Sequence, residues 1–433
     1  MSADLGALSG ARAAIAALAR QQQHAAATLN LIPSENSASP LARWALAGDA
    51  GGRYFFNTSG DPDGWAFPAA RDASEAETGL TVPLLRLLTG ARHVNVRPLS
   101  GLHAMTLVLS AWGGKPGTPV LTVHPDQGGH YATASLARRL ALSPVLTTGP
   151  DPHTLDAELL HHQVAAHRPQ LVYLDQSHVL FPADVAAVAE AVKAADEHAV
   201  LYADVSHTLG LVLGGALPNP LAAGAHAFGG STHKTFPGPQ KGMVATGRDD
   251  LADTLHQAQY DMVSNHHLAP TCALGLACAD FLAADPAAYA TDTIAAAQAL
   301  GQALHKNQLV PEAADRGYTA THQLWLNTAP AGVDGREAHR RLTAAGIHTN
   351  VLTDLPGLAG TPALRLGTAE VVGAGLTVQD MDQVAELIAD AIHDHRPTAA
   401  IAADVANLRA ARTSRWQLHR HPDVAAYIEE SFA

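Results

Sequence analysis

The stretch that decides the fold is Ala225-His226-Ala227-Phe228-Gly229-Gly230-Ser231-Thr232-His233-Lys234-Thr235. A short apolar run passes into small residues and then reaches a lysine flanked by hydroxyl side chains. Upstream lies a second run, Ala199-Val200-Leu201-Tyr202-Ala203, closed by Asp204. Apolar runs of this length, bounded by small or polar residues, read as buried strands. A lysine is ordinarily a solvated surface charge, and the chain has only five. Lys115 lies in a Gly-Gly-Lys-Pro-Gly turn, Lys193 and Lys306 on polar helix faces, and Lys241 in a loop after Pro239-Gln240. Lys234, just past a strand, departs from that pattern.

A carboxylate at the end of one buried strand and a lysine just past the next is what pyridoxal phosphate (PLP) chemistry requires. The lysine amine can hold the cofactor as a Schiff base, and the carboxylate keeps the pyridine nitrogen protonated so that the ring accepts electrons. Lys234 and Asp204 are the expected pair.

Working outward, apolar runs at His93–Val96, Val120–Val123, Leu171–Asp175, Val200–Asp204, His226–Gly229 and Met243–Thr246 alternate with stretches of helical period. That alternation predicts an α/β fold with a mostly parallel sheet covered by helices on both faces. Ligands bind at the carboxyl ends of such strands. Asp204, Lys234, Gln127-Gly128-Gly129-His130 and Asp175-Gln176-Ser177 all fall at such ends. A helical stretch from about 270 to 304 leads to a second region with strands at Gln323–Leu326 and Ala363–Leu366, helices near 335–345 and 378–394, and a helical tail from about 399 to 430. An amphipathic helix is expected near 10–25, then a loop-rich segment from about 30 to 72. The expected division is an N-terminal helical arm (1–28), a large domain (29–285) and a smaller C-terminal α/β domain (286–433).

Composition narrows the function. The 433 residues are 47% hydrophobic and 15% charged, with a net charge of −13, as suits a globular enzyme. An acidic chain without basic blocks is not expected to bind nucleic acid or an anionic membrane surface. No uncharged run is long enough to span a bilayer, so a cytoplasmic location is expected. Cys272 and Cys278 fall about 9 Å apart on one helix, too far for a disulfide. The 25 histidines lack metal-ligand spacing, so no metal site is expected.

The remaining parts of a PLP site each have a candidate. Ser100-Gly101 opens a helix whose N-terminal N–H groups can hold a phosphate. His130 can stack on the pyridine ring. His207 follows Asp204 by three positions and can reach the ring or a substrate carboxylate. Ser177 lies at a strand exit, and Thr232 and His233 flank the lysine. Arg365, within Ala-Leu-Arg-Leu-Gly-Thr, is out of place in an apolar strand unless it meets an anion, and a bidentate fork for an amino-acid carboxylate fits.

These stretches together resemble serine hydroxymethyltransferase over roughly residues 28–395. The matching segments are Leu31-Ile32-Pro33-Ser34-Glu35-Asn36, Arg53-Tyr54, Ser100-Gly101, Gly128-Gly129-His130, Asp204 through His207, Gly215 through Pro220, Thr232 through Thr235, and Arg365 through Thr368. The resemblance implies the PLP fold-type-I (aspartate aminotransferase-like) architecture and a homodimer with shared active sites. It also implies that Ser34, Tyr54, His207 and Arg365 hold the substrate, that His130 stacks on the ring, and that Lys234 carries the cofactor. Departures fall on the parts that manage folate and the hydroxymethyl group. A family glutamate is missing from Ala45-Leu46-Ala47-Gly48-Asp49. A family tyrosine has become Phe55, a Gly-Gly-Pro loop reads Asn265-His266-His267-Leu268, and an arginine reads Gln240, whereas Asn350 keeps a folate-contacting match. The expectation is therefore a folate-independent, L-threonine transaldolase-like enzyme. It would make and break the Cα–Cβ bond of β-hydroxy-α-amino acids, with small amino acids and aldehydes as partners. His233, His130 or Asp49 would take the β-hydroxyl proton. The alternative is serine or α-methylserine hydroxymethyl transfer with tetrahydrofolate.

Overall fold

The computed structural model describes residues 2–55 and 67–430. Its centre is a seven-stranded sheet: β1 (His93–Asn95), β2 (Pro119–Val123), β3 (Ser143–Thr147), β4 (Leu171–Asp175), β5 (Val200–Asp204), β6 (Ala227–Ser231) and β7 (Gly242–Thr246). The spatial order is β1-β7-β6-β5-β4-β2-β3. β7 runs antiparallel to both neighbours, and the other pairings are parallel. The central strands β4, β6 and β7 are buried along their whole length. Being covered on both faces, they read as continuous apolar runs rather than alternating ones.

The expected strands are present, with β6 shifted by one position toward the lysine. β3 was not foreseen. It is an edge strand of mixed burial that carries Pro144, and proline is tolerated only where one side of the strand lacks a ladder partner.

A three-stranded antiparallel sheet is formed by β8 (Gln323–Leu326), β9 (Asn350–Leu352) and β10 (Ala363–Gly367), in the order β9-β10-β8. A two-residue parallel pairing joins Leu29–Asn30 to Ile347–His348. This short ladder and the bond from Gly367 N–H to the Leu31 carbonyl carry the N-terminal segment onto the smaller sheet. One continuous apolar core includes Leu121 and Phe228 from the large sheet, Leu300 from the long helix Pro286–Lys306, and Leu366 and Ile388 from the C-terminal part. The first helix, Ser2–Ala27, is longer than expected, and the segment that reads as loop contains the helix Pro40–Leu46. The tail forms two helices, Thr398–Ala410 and Pro422–Glu430. Among the described residues no single helix is long and apolar enough to cross a membrane, although the bent pair Leu268–Ala283 and Pro286–Lys306 passes that test by length and composition. Cys272 and Cys278 are both free.

Candidate active site

At the carboxyl ends of β4, β5 and β6 a narrow cleft is lined by Gly101, Leu102, Met105, His130, Asp175, Gln176, Ser177, Asp204, Ser206, His207, Ser231 and Lys234. Strand register explains the convergence. Asp175 pairs with Asp204, and Asp204 with Gly229, so adjacent strands end side by side.

Lys234 is placed by its backbone. Its carbonyl accepts from Asn36 Nδ2 at 2.7 Å. The next carbonyl, of Thr235, accepts from Tyr289 Oη at 2.7 Å, and Thr235 Oγ1 accepts from Gly210 N–H at 3.0 Å. The amine itself makes no hydrogen bond or ion pair among the described residues. Burial lowers its pKa to about 8, against an upward pull from Asp204 and with a further downward push from Arg365. Asp204 accepts from Tyr173 Oη at 2.7 Å and from Ser206 N–H at 2.8 Å, which fixes its carboxylate at the strand end. Gly230 sits beside it at φ +132°, and a Cβ there would lie 2.7 Å from Asp204 Oδ1 and 2.2 Å from Ser206 Oγ. Only glycine allows that approach.

The helix Gly101–Trp112 points its N-terminus at the cleft. Ser100 Oγ caps it by accepting from His103 N–H at 3.1 Å, which leaves the hydroxyl proton itself available to donate. The backbone N–H groups of Gly101 and Leu102 make no bonds within the helix, as is general for a first turn. A Cβ on Gly101 would fall 2.0 Å from Ser231 Oγ and 3.0 Å from Ser231 N, so this turn packs tightly on the end of β6.

Arg365, 5% exposed, lies on β10 and adjoins the cleft at Ser177. Its Nε donates to Asn350 Oδ1 at 3.4 Å and its Nη1 to the Ser177 carbonyl at 3.5 Å. It forms no ion pair among the described residues, and burial depresses it to about 10. A buried guanidinium held by two long bonds and no carboxylate is prepared for an anion from outside the chain. His207 is buried next to it. Its Nδ1 accepts from Gln323 Nε2 at 3.2 Å, its ring stacks on His322 at 5.9 Å, and burial followed by the charges of Lys234 and Arg365 keeps it neutral. Ser34 follows Pro33, which packs against Gly367 and accepts from His322 Nε2 at 3.1 Å. With the bond from Asn36 Nδ2 to the Lys234 carbonyl, these contacts run the Ser34 segment from the strand that carries Arg365 to the backbone of Lys234.

Other sequence candidates lie off the cleft. Thr232 is fully buried, and its hydroxyl donates to the Pro239 carbonyl at 2.7 Å, closing the turn after the lysine instead of facing the cleft. His233 is half-buried behind it, with Nδ1 unpaired and a pKa pushed down to about 4 by burial and Lys234. Tyr54 is 44% exposed and its hydroxyl meets Ser264 Oγ. Asp49 is exposed and paired with Arg53. Lys241, which reads as a loop residue, is 1% exposed and donates to the His266 carbonyl at 2.7 Å. It belongs to a buried cluster with Glu77, His266 and Arg97. Sequence reading missed His178, half-buried in the loop after β4. Burial, followed by Arg365, His130 and Lys234, lowers its pKa to about 3. It also missed His322, Gln323 and Tyr173, which support the ligands from neighbouring strands.

The donor set fits PLP: an unpartnered amine, a fixed carboxylate, a helix N-terminus for the phosphate and a free guanidinium for an amino-acid carboxylate. Fold and cleft together define a PLP-dependent enzyme of fold type I. A family model described as serine hydroxymethyltransferase matches residues 12–388, and the chain belongs to that family. It is 44% identical over 360 residues to an L-threonine:uridine-5'-aldehyde transaldolase of an Amycolatopsis species, covering 82% of this chain and 85% of the relative. It is 36% identical over 390 residues to a serine hydroxymethyltransferase of Methanopyrus kandleri, covering 88% and 89%. The crystal structure of L-threonine transaldolase from Pseudomonas fluorescens in the internal aldimine state superimposes with a TM-score of 0.87 at 25% identity, covering 99% of both chains.

Proposed function

We propose that this enzyme is a folate-independent transaldolase. It takes L-threonine as donor, releases acetaldehyde, and joins the remaining glycyl unit to a second aldehyde as a new β-hydroxy-α-amino acid. The observation that carries the amino-acid part is Arg365, a buried guanidinium without an ion-pair partner, in the same site as the unpartnered amine of Lys234. The choice of transaldolase over hydroxymethyl transfer is supported by the relatives named above and by the missing family glutamate, where Ala47 is exposed.

Bound PLP supplies an electron sink for the pair left on the substrate Cα. The chain's residues do the rest. Lys234 anchors the cofactor, and its depressed pKa leaves part of the amine uncharged at neutral pH. Asp204 holds a proton at the pyridine nitrogen. The N–H groups of Gly101 and Leu102 bind the phosphate. Arg365, with His207 and Ser34, grips the substrate carboxylate and so orients the Cα–Cβ bond. His130 lines the cleft where the pyridine ring would sit, and because its Nδ1 accepts from Ala132 N–H, the neutral imidazole carries its proton on Nε2. Cleavage transfers the β-hydroxyl proton to the protein and frees acetaldehyde. In the forward step the Cα pair attacks the new carbonyl carbon and the proton returns to its oxygen. Asp49 is exposed and already paired, and neutral His130 has no lone pair left for the β-hydroxyl proton because its Nδ1 accepts from Ala132 N–H; of the three candidates His233, kept neutral by burial, has an unpaired ring nitrogen.

We further propose the division into an arm (1–28), a large domain (29–285) and a small domain (286–433), a cytoplasmic location, and a homodimer. Exposed Leu102 and Tyr131 at the cleft, and Tyr260 nearby in the chain to the 264–267 loop, support the last. The relatives make a nucleoside 5'-aldehyde the first acceptor to offer. The test is to incubate holoenzyme with L-threonine and that aldehyde, without folate, and to identify the product by mass. A β-hydroxy-α-amino acid carrying the acceptor skeleton is expected. Turnover only with serine and tetrahydrofolate would contradict the proposal.

A further inference from the structure

Asp175 is the one buried carboxylate lining the cleft that the mechanism above does not use. It is 2% exposed and stands beside Asp204 in the strand register. Three donors converge on it: His130 N–H on Oδ2 at 3.0 Å, Thr133 Oγ1 on Oδ2 at 2.5 Å and Thr122 Oγ1 on Oδ1 at 3.1 Å. The same two loops are clasped again by Ser177 N–H and His178 N–H, which both donate to the Gly128 carbonyl at 2.7 and 3.2 Å. The clasp leaves no room, because a Cβ on Gly128 would lie 2.0 Å from the His178 carbonyl oxygen. From these contacts we infer that Asp175 is the positioning residue that sets the height and tilt of the His130 imidazole over the cofactor ring, acting through the His130 backbone and Thr133.

The role is geometric, so acceptor oxygens matter and charge does not. In Asp175→Asn the amide oxygen keeps the bonds from His130 N–H and Thr133, while the amide nitrogen donates to the Thr122 hydroxyl, which can accept. In Asp175→Ala the half-buried His130 N–H loses its partner, a state that native structures avoid. The inference rests on the reading of the cleft as a PLP site, and the experiment separates the two. Wild-type protein that binds no PLP, measured by equilibrium titration, would defeat that reading itself. With PLP bound, three quantities are compared for Asp175→Ala, Asp175→Asn, His130→Ala and the His130→Ala/Asp175→Ala double variant: the visible circular dichroism of the cofactor, its dissociation constant, and kcat/KM. Asp175→Ala is expected to lose roughly 10- to 100-fold in kcat/KM and to change the dichroism, and Asp175→Asn to stay within about fivefold of wild type. Because Asp175 acts through His130, adding Asp175→Ala to His130→Ala is expected to change kcat/KM by less than about threefold. Additive losses in the double variant would overturn the inference, and so would an Asp175→Asn as impaired as Asp175→Ala. If Asp175→Ala does not fold, Asp175→Asn and Thr133→Val carry the test. The first is then expected to leave the dichroism unchanged and the second to alter it, and the reverse pattern would overturn the inference.

Discussion

Replacing Arg365 by methionine should separate stability from function. The side chain is almost fully buried, its two hydrogen bonds are 3.4 and 3.5 Å long, and no carboxylate pairs with it. Burial lowers its pKa from 12.5 to about 10, which corresponds to a penalty on the order of 3 kcal/mol for keeping the charge inside the folded chain. Methionine has similar length and flexibility and no charge to desolvate. The variant should therefore melt at the same temperature as wild type or a few degrees higher. Its substrate carboxylate, however, would enter the cleft without its partner. Truncating one member of a buried charge pair costs about 2–5 kcal/mol, or roughly 30- to several-thousand-fold in kcat/KM at ~1.4 kcal/mol per tenfold. The assay pairs differential scanning calorimetry with steady-state kinetics on L-threonine, and cofactor absorbance should stay at the wild-type level. A variant that melts well below wild type, or one that keeps its KM for threonine, would refute the reasoning.

Lys234→Ala should bind PLP without the visible band of the lysine-linked cofactor, as checked by absorbance after dialysis. With the amine held near a pKa of about 8, the rate at which apo-protein takes up PLP should rise between pH 7 and 9 and level off above that, which stopped-flow absorbance can follow. Gly230→Ala forces a Cβ against Ser206 Oγ and Asp204 Oδ1 at a φ of +132°. It should weaken PLP binding by at least tenfold, measured by titration, while overpacking lowers stability by about 1–3 kcal/mol. Burial alone would raise the Glu77 carboxyl, but the His266 hydrogen bond and the charges of His266, Arg97 and Lys241 outweigh it and hold it at about 2. A carboxyl depressed in the folded state adds stability above its unfolded value of 4.5, and that stability is lost as pH falls toward 2. Acid unfolding curves should show this loss in wild type, and Glu77→Ala should be destabilised by about 1–3 kcal/mol at pH 7 because buried His266 loses its hydrogen-bond partner.

What was legible in the sequence follows from where the information lies. β4, β5, β6 and β7 are largely buried and announce themselves as apolar runs, and the residues that end the parallel strands β4, β5 and β6 stand at the cleft. Asp204, Lys234, His130 and His207 were therefore readable from local pattern, and Arg365 from a charge inside an apolar strand. β3 was not, because an edge strand carrying Pro144 lacks a continuous run. β9, three half-buried residues, carries too little periodicity to count. Hydroxyls are harder to read for a related reason. Ser100 and Thr232 have the composition of phosphate ligands, yet each satisfies the backbone of its own turn, and local hydrogen bonding of this kind competes for such side chains. Lys241 read as a surface loop residue because its partners, Glu77 and His266, are remote in the sequence. His178 gave no signal beyond its place one residue after Ser177.

The most direct measurement of the central claim is hydrogen exchange at the Cα of glycine, followed by NMR in deuterated buffer with holoenzyme and no folate. Exchange catalysed by wild type, absent in Lys234→Ala and strongly reduced in Asp204→Ala, is the result expected if this cleft stabilises charge at Cα. Wild-type protein carrying bound PLP that leaves the glycine protons untouched would contradict the account.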